Sequence, residues 1–340
     1  MTTKVNRRYI AIVIVFALLV PLIALVAIAC NNNSNDSGTI NIVAMRGPTG
    51  MGFGQFNERI KQGQLEGYKL DIVGTPDNVT SELVSGRADI ASLPSNMAPL
   101  LVNNGKVDLK ILSINVGNVI HLISRTKEVP NHPLPEDITS LADLKGKKVS
   151  IHGVGSTPEA VLKHLLSKQG LQDNEVELDD QGTPEAITAG LSSGNIDYAI
   201  LPQPAVSANL IQGNAKSVLD LGDVWRDHHP DSGIYTGVLV ARTAWLEGNA
   251  DKLNMFMQEY QASIDYMTDA SNIDTAAQYV VDLDILGNVN VAKASLPLSG
   301  LVLIKGEDIK SKLVPFYQIL LETTPNLIGG EMPNDSIYMV

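Results

Sequence analysis

Four short segments carry groups suited to holding a solute without transforming it. They are Arg46-Gly47-Pro48-Thr49-Gly50-Met51, Pro94-Ser95-Asn96, His152-Gly153-Val154-Gly155-Ser156-Thr157 and Pro202-Gln203-Pro204. Glycine lets backbone N–H groups approach a bound molecule closely. The hydroxyls of Thr49, Ser156 and Thr157 either donate to such a molecule or cap the helix behind them. Arg46 is the one cation written into these segments, and its planar fork suits a carboxylate or a similar oxyanion; a salt bridge at the surface is its alternative use. His152 can donate, accept or titrate, or be satisfied by neighbouring backbone. Catalytic chemistry has little to work with, because no HExxH, CxxC or GxxxxGK[ST] pattern occurs and the six histidines are not at metal-ligand spacing. His228 and His229 are expected in a surface loop. Trp225 is expected in a loop as well, either packing or covering an aromatic solute, and with aromatics at 5% of the chain a rich aromatic cage is not expected. No catalytic residue, metal or cofactor is therefore anticipated.

The elements that must position these segments come from a duplication. Thr75 to Val102 aligns without a gap on Thr183 to Leu210, with ten identities in 28 positions, among them Thr75/Thr183, Pro76/Pro184, Gly86/Gly194, Asp89/Asp197 and Pro94/Pro202. Each copy reads as a helix opened by Thr-Pro, a glycine stop, a short strand, then a proline opening another helix. Upstream, Val43-Ala44-Met45-Arg46-Gly47 corresponds to Val149-Ser150-Ile151-His152-Gly153, so the repeat covers a βαβα unit. Short apolar strands alternating with helices imply α/β lobes with parallel sheets. Two such units suggest two lobes facing each other. In open parallel sheets ligands collect beyond the carboxyl ends of the strands, near helix N-termini, and all four segments fall at such corners.

The beginning of the chain bears on location. Lys4, Arg7 and Arg8 precede an apolar run from Tyr9 to Ala29, which ends at the single cysteine, Cys30, behind Ala27, Ile28 and Ala29. This order resembles a bacterial lipobox, in which Cys30 would be acylated and become the new N-terminus. An uncleaved anchor is the alternative, since about 20 apolar residues suffice to span a bilayer. Either way the body lies outside the cytoplasm. Asn31 to Gly38 is polar throughout and is expected to be a flexible tether. One cysteine allows no internal disulfide, so the body must rest on its core. The net charge of −12 argues against nucleic acid and against adhesion to anionic lipid.

Beyond these features the chain resembles the nitrate/sulfonate/taurine-type substrate-binding proteins of ABC importers, a group that also includes binders of thiamine-pyrimidine precursors. The resemblance rests on RGPTGMG from Arg46, ADIASLPSNMA from Ala88, LADLKGKKVSIHGVGSTPEAVL from Leu141, DYAILPQP from Asp197 and VLVARTAWLEGN from Val238. It implies a type II periplasmic-binding-protein fold, α/β, with two lobes, parallel-rich sheets and two crossovers. The implied organisation is a signal peptide over 1–29, a tether over 30–38, a first lobe from 39–117 and 237–340, and a second from 118–236. By the same resemblance the ligand would meet Thr49, Gly50, Met51, Ser95, Asn96, Ser156, Thr157 and Gln203, to which Arg46 and His152 are added from their own chemistry. Arg46 and Gln203 stand where relatives more often have Lys and Glu; a small organic anion is the expected ligand, with a neutral heteroaromatic vitamin precursor as the alternative.

The expected function is a lipid-anchored receptor on the outer face of the cell membrane, a monomer that delivers a small solute to a permease and its cytoplasmic ATPase. An enzyme related to a yeast-type pyrimidine synthase is the first rival, but that chemistry is associated with a cysteine-rich segment, and Cys30 is committed to lipid. A tethered ligand-binding sensor is the second. It is expected to lead from the body into a membrane span and a cytoplasmic module, and none is expected after Val340.

Overall fold

The computed structural model describes residues 38–130, 132–153 and 155–339; Cys30, the apolar leader and the tether as far as Ser37 lie outside the described residues. Along the chain the strands are β1 (Ile40–Met45), β2 (Tyr68–Val73), β3 (Ile90–Pro94), β4 (Leu109–Val116), β5 (Ile120–Arg125) and β6 (Lys148–Ile151). They continue as β7 (Glu177–Asp180), β8 (Tyr198–Pro202), β9 (Ala215–Asp220), β10 (Gly237–Arg242) and β11 (Leu301–Ile304). Two sheets result, ordered β11-β4-β10-β3-β1-β2 and β7-β6-β8-β5-β9. No described helix is long and apolar enough to cross a membrane.

Both sheets are mixed, and the reason is visible in the connections. The duplicated strands β2, β1 and β3 run parallel, as do β7, β6 and β8. β10 lies antiparallel between β3 and β4, and β5 antiparallel between β8 and β9. Each of these two is the strand with which the chain enters a sheet after leaving the other one, by crossings at 117–119 and 229–236. Each sheet is therefore completed by a strand delivered from its counterpart. The central strands β3 and β8 are buried along almost their whole length, as expected for strands covered on both faces.

The duplication recurs in local chemistry. The Thr75 hydroxyl accepts from the Asn78 N–H at 3.3 Å, and the Thr183 hydroxyl accepts from the Ala186 N–H at 3.2 Å. Pro76 and Pro184 then open the helices Pro76–Val84 and Pro184–Ser193, where a missing N–H removes nothing from the helix ladder. Gly86 and Gly194 stop them at φ of 74° and 79°, a region that side-chain-bearing residues rarely adopt.

Two long helices have no duplicate. Helix Ala250–Thr268 buries Leu253, Phe256, Tyr260 and Ile264, a stripe at helical spacing, and sets Tyr260 4.5 Å from Phe53 between ring centroids. Helix Glu307–Thr323 packs on β4 and also against helix Thr157–Lys168 of the second-sheet half, so it is not confined to one sheet. Trp225 is not in a loop. Asp220 accepts from the N–H groups of Gly222 and Asp223 and caps helix Leu221–His228, which buries Trp225 completely against Phe316. His228 and His229 also depart from the expected loop, because they end and cap that same helix.

Candidate ligand-binding cleft

A cavity of about 650 Å³ lies between the strand ends of the two sheets. The first sheet contributes Met45, Arg46 and Gly47 at the end of β1, Gly74 and Pro76 after β2, and Pro94, Asn96 and Met97 at the end of β3. The second contributes His152, Ser156, Thr157 and Pro158 after β6, Pro184 and Glu185 after β7, and Pro202 and Pro204 around the end of β8. Three corners from each sheet thus frame the space, where the sequence reading has two. The third pair belongs to Thr75-Pro76 and Thr183-Pro184, so the duplication already contained its signal. Val119, Ile120, Thr236, Ile285, Leu286 and Leu327 complete the wall from unduplicated chain.

Five of the ten expected contact residues line this cavity: Arg46, Asn96, His152, Ser156 and Thr157. The Arg46 guanidinium donates to the Asp284 carboxylate at 2.8 Å, and both side chains are largely open to solvent, 46% and 89%. Such a pair contributes about 0–1 kcal/mol and is readily exchanged for another anion. Asn96 donates from its amide nitrogen to the Leu327 carbonyl at 3.1 Å, tying the β3 corner to the segment near the C-terminus. Ser156 caps helix Thr157–Lys168 by accepting from the Glu159 N–H at 3.4 Å. Nε2 of His152 is buried and has no hydrogen-bond partner. Burial pushes the His152 pKa down, and the carboxylates of Asp180 and Glu185 pull it partly back up.

The other five are turned into the protein. Thr49 donates to the Met45 carbonyl at 3.0 Å. Met51 is fully buried. A Cβ on Gly50 would lie 2.8 Å from the Met45 carbonyl oxygen and 3.1 Å from Cδ1 of Ile285, so close packing, not a ligand, explains that glycine. Ser95 donates to the Tyr235 carbonyl, and the Gln203 amide oxygen accepts from Ser207 Oγ at 2.8 Å. Nε2 of Gln203 is buried without a partner, while Pro202 and Pro204 on either side of it reach the cavity. The cause differs by corner: Thr49, Gly50 and Met51 lie in a buried helix turn, whereas Ser95 and Gln203, just before their helices, are tied inward by hydrogen bonds to Tyr235 and Ser207.

The chemistry of the wall is mostly apolar. Six lining residues are prolines, which have no N–H to offer, and the charged groups are Arg46, already paired, and Glu185. Gly190-Leu191-Ser192-Ser193-Gly194 has the form GxSxG, but it ends helix Pro184–Ser193 instead of turning from a strand into a helix, so Ser192 does not sit on a nucleophile elbow. Among the described residues no group of three or more His, Cys, Asp or Glu is placed to hold a metal ion.

A family model described as NMT1/THI5 like matches residues 64–271. No curated protein matches the chain. An ABC transporter structure from Parabacteroides distasonis superposes with a TM-score of 0.71 at 18% identity, covering 89% of this chain and 99% of that one. The periplasmic aliphatic sulphonate binding protein SsuA from Escherichia coli superposes at 0.64 with 16% identity, covering 88% and 94%. The periplasmic nitrate-binding protein NrtA from Synechocystis superposes at 0.56 with 14% identity, covering 81% and 75%. At these identities the likeness is one of fold.

Proposed function

Since the chain belongs to the NMT1/THI5-like family, we propose that it is the solute-capturing receptor of an ABC importer, binding its ligand in the cleft between two lobes, 39–117 with 237–340 and 118–236. The observation that carries this reading is the cavity of about 650 Å³ framed by three strand-end corners from each sheet. Its size falls among pockets for organic ligands, about 300–1,000 Å³, and its prolines and aliphatic side chains suit a molecule with an apolar body. Arg46, Asn96, His152, Ser156 and Thr157 are assigned to ligand contact, whereas Thr49, Gly50, Met51, Ser95 and Gln203 hold the corners in place. The sulphonate- and nitrate-binding neighbours favour an anion. The solute is therefore a small organic anion that takes Arg46 from Asp284.

A neutral heteroaromatic compound is the second reading, favoured by the unpartnered Nε2 of His152 and by the charge already neutralised on Arg46. The protein binds and does not transform its ligand. It is a monomer held to the outer face of the membrane by lipid on Cys30, and it works with a permease and a cytoplasmic ATPase. A thermal-shift screen of organic anions against neutral heterocycles tests the reading, because a ligand at 100 times its Kd adds about 2.7 kcal/mol of stability. Stabilisation by organic anions supports the first reading. Stabilisation by uncharged rings alone transfers support to the second, and no stabilisation by either class counts against both.

A further inference from the structure

The segment that returns the chain from the second sheet to the first begins at His229, and a cluster of rings surrounds that point. Nε2 of His164, on helix Thr157–Lys168, lies 2.7 Å from Nε2 of His229. Trp225 stands 5.4 Å from the first ring and 4.9 Å from the second, between centroids, and meets Phe316 of helix Glu307–Thr323 edge-on at 5.8 Å. Tyr235, near the far end of the crossing segment, meets the same Phe316 at 6.4 Å. Elements of the second-sheet half, the crossing segment and a helix packed on β4 therefore converge in one seam.

An Nε2-to-Nε2 approach of this length is a hydrogen bond only if one nitrogen carries a proton and the other does not. Two neutral rings in opposite tautomers meet that condition, and so does one imidazolium beside one neutral ring. Two imidazolium rings do not: two N–H groups and two positive charges then face each other, with His164 only 8% exposed to water. The charges around the pair sharpen the conflict. Lys168, from the end of helix Thr157–Lys168, and His228, from the end of helix Leu221–His228, add positive potential, while Glu322 on helix Glu307–Thr323 offsets part of it. His228 is itself engaged with the Gln169 side chain at 3.0 Å.

We propose that His164 and His229 form an acid-sensitive latch on the hinge of the cleft, holding the seam together until both rings are protonated and then parting it. The latch rests on the solute-capturing role proposed above, since only a cleft that opens and closes gives it something to control. Desolvation brings the His164 pKa from 6.5 down to about 4 and moves His229 in the same direction. A parted seam, with its rings in water, therefore binds more protons than a closed one between those values. The closed form loses stability as pH falls from about 6.5 toward 4, and keeps it above that window. Acidification opens the cleft and releases its solute.

The full chain carrying Trp245→Phe leaves Trp225 as the sole tryptophan, directly beside the pair. Between about pH 6.5 and 4 its emission is expected to fall and shift to longer wavelength, with a parallel rise in the radius of gyration by solution scattering. Both changes are expected to disappear with His229→Gln and with His164→Gln, which keep a hydrogen-bonding side chain that does not titrate. A flat response in the Trp245→Phe chain, or a transition that survives unchanged in both glutamine variants, overturns the latch. If circular dichroism finds the glutamine variants unfolded, nitrogen-15 titration of the two rings in the wild-type chain decides. Depressed, mutually dependent protonation supports the latch, and independent titration near 6.5 overturns it. The solute-capturing role is judged separately by the ligand screen at neutral pH, where the latch is closed.

Discussion

The guanidinium of Arg46 lies 2.8 Å from the carboxylate of Asp284, and among the described residues Asp284 is the only non-glycine with a positive φ, 55°. The two residues after it, Ile285 and Leu286, form part of the cavity wall. A weak, exposed ion pair thus joins the β1 corner to an unusual turn, and it occupies the cation that an anionic solute would need.

Asp284→Asn is expected to tighten binding of an organic anion, because it frees Arg46 while keeping a residue type that tolerates left-handed backbone. Arg46→Ala is expected to weaken the same anion by about 1.5–3 kcal/mol, the range for a charge-assisted hydrogen bond. Neither change should move stability by more than about 1 kcal/mol, given the exposure of the pair. Calorimetric titration of both variants is the measurement. Equal affinity in wild type, Asp284→Asn and Arg46→Ala would remove Arg46 from the site.

The pH dependence of binding separates the two ligand classes at His152. Its ring is neutral at pH 7, since burial lowers a pKa that starts at 6.5. An anion set against Nε2 favours the imidazolium, so the pKa rises in the complex and affinity increases as pH falls. A neutral heteroaromatic gives a flat profile, or one that weakens with acid. Titrations from about pH 8 to 6 in a background carrying both His164→Gln and His229→Gln, where neither hinge ring titrates, record the slope. His152→Phe should abolish it, and a slope that persists in that variant places the titrating group elsewhere.

Thr75→Ala and Thr183→Ala are expected to destabilise the protein by about 1 kcal/mol each, the usual loss for an N-cap hydroxyl. The two losses should be alike, because the two caps make the same bond at 3.3 and 3.2 Å. Urea denaturation measures them. A change confined to one copy shows that surrounding contacts, not the cap, set the cost there.

Cys30→Ser is expected to abolish acylation and N-terminal processing while leaving the folded body intact. Metabolic labelling with a fatty acid, with intact mass of the membrane fraction, reads both outcomes. A variant that stays in the membrane at unchanged mass, with no labelling lost relative to wild type, places the anchor in the apolar run before Cys30.

Much of the architecture was legible because it is written twice. Pro76 and Pro184, Gly86 and Gly194, and Pro94 and Pro202 occupy matching turns of matching units, and a local rule suffices to read each of them. The direction of β5 and β10 was not legible, since it depends on which sheet the chain has just left, a property of topology and not of any window of residues. The site divides in the same way. Arg46, His152 and Ser156 face the cavity, whereas Met51 and Gln203 belong to equally suggestive segments but are turned inward, Met51 buried in the helix turn after Arg46 and Gln203 bonded to Ser207. Ile285 and Leu327 reach the wall from parts of the chain with no repeat to announce them, and His229 finds His164 across 65 residues that carry no periodic signal.

The prolines of the cavity wall have a thermodynamic consequence. A solute usually binds at the expense of side-chain freedom, about 0.5–1.5 kcal/mol for each rotamer-rich residue that it immobilises. Pro76, Pro94, Pro158, Pro184, Pro202 and Pro204 have almost no such freedom to lose, because each ring is fixed to its own backbone before any ligand arrives. The wall is preorganised, so a modest set of contacts can yield a useful affinity. It is also unforgiving of shape, because rings that do not rotate cannot make room for a bulkier relative of the solute they fit.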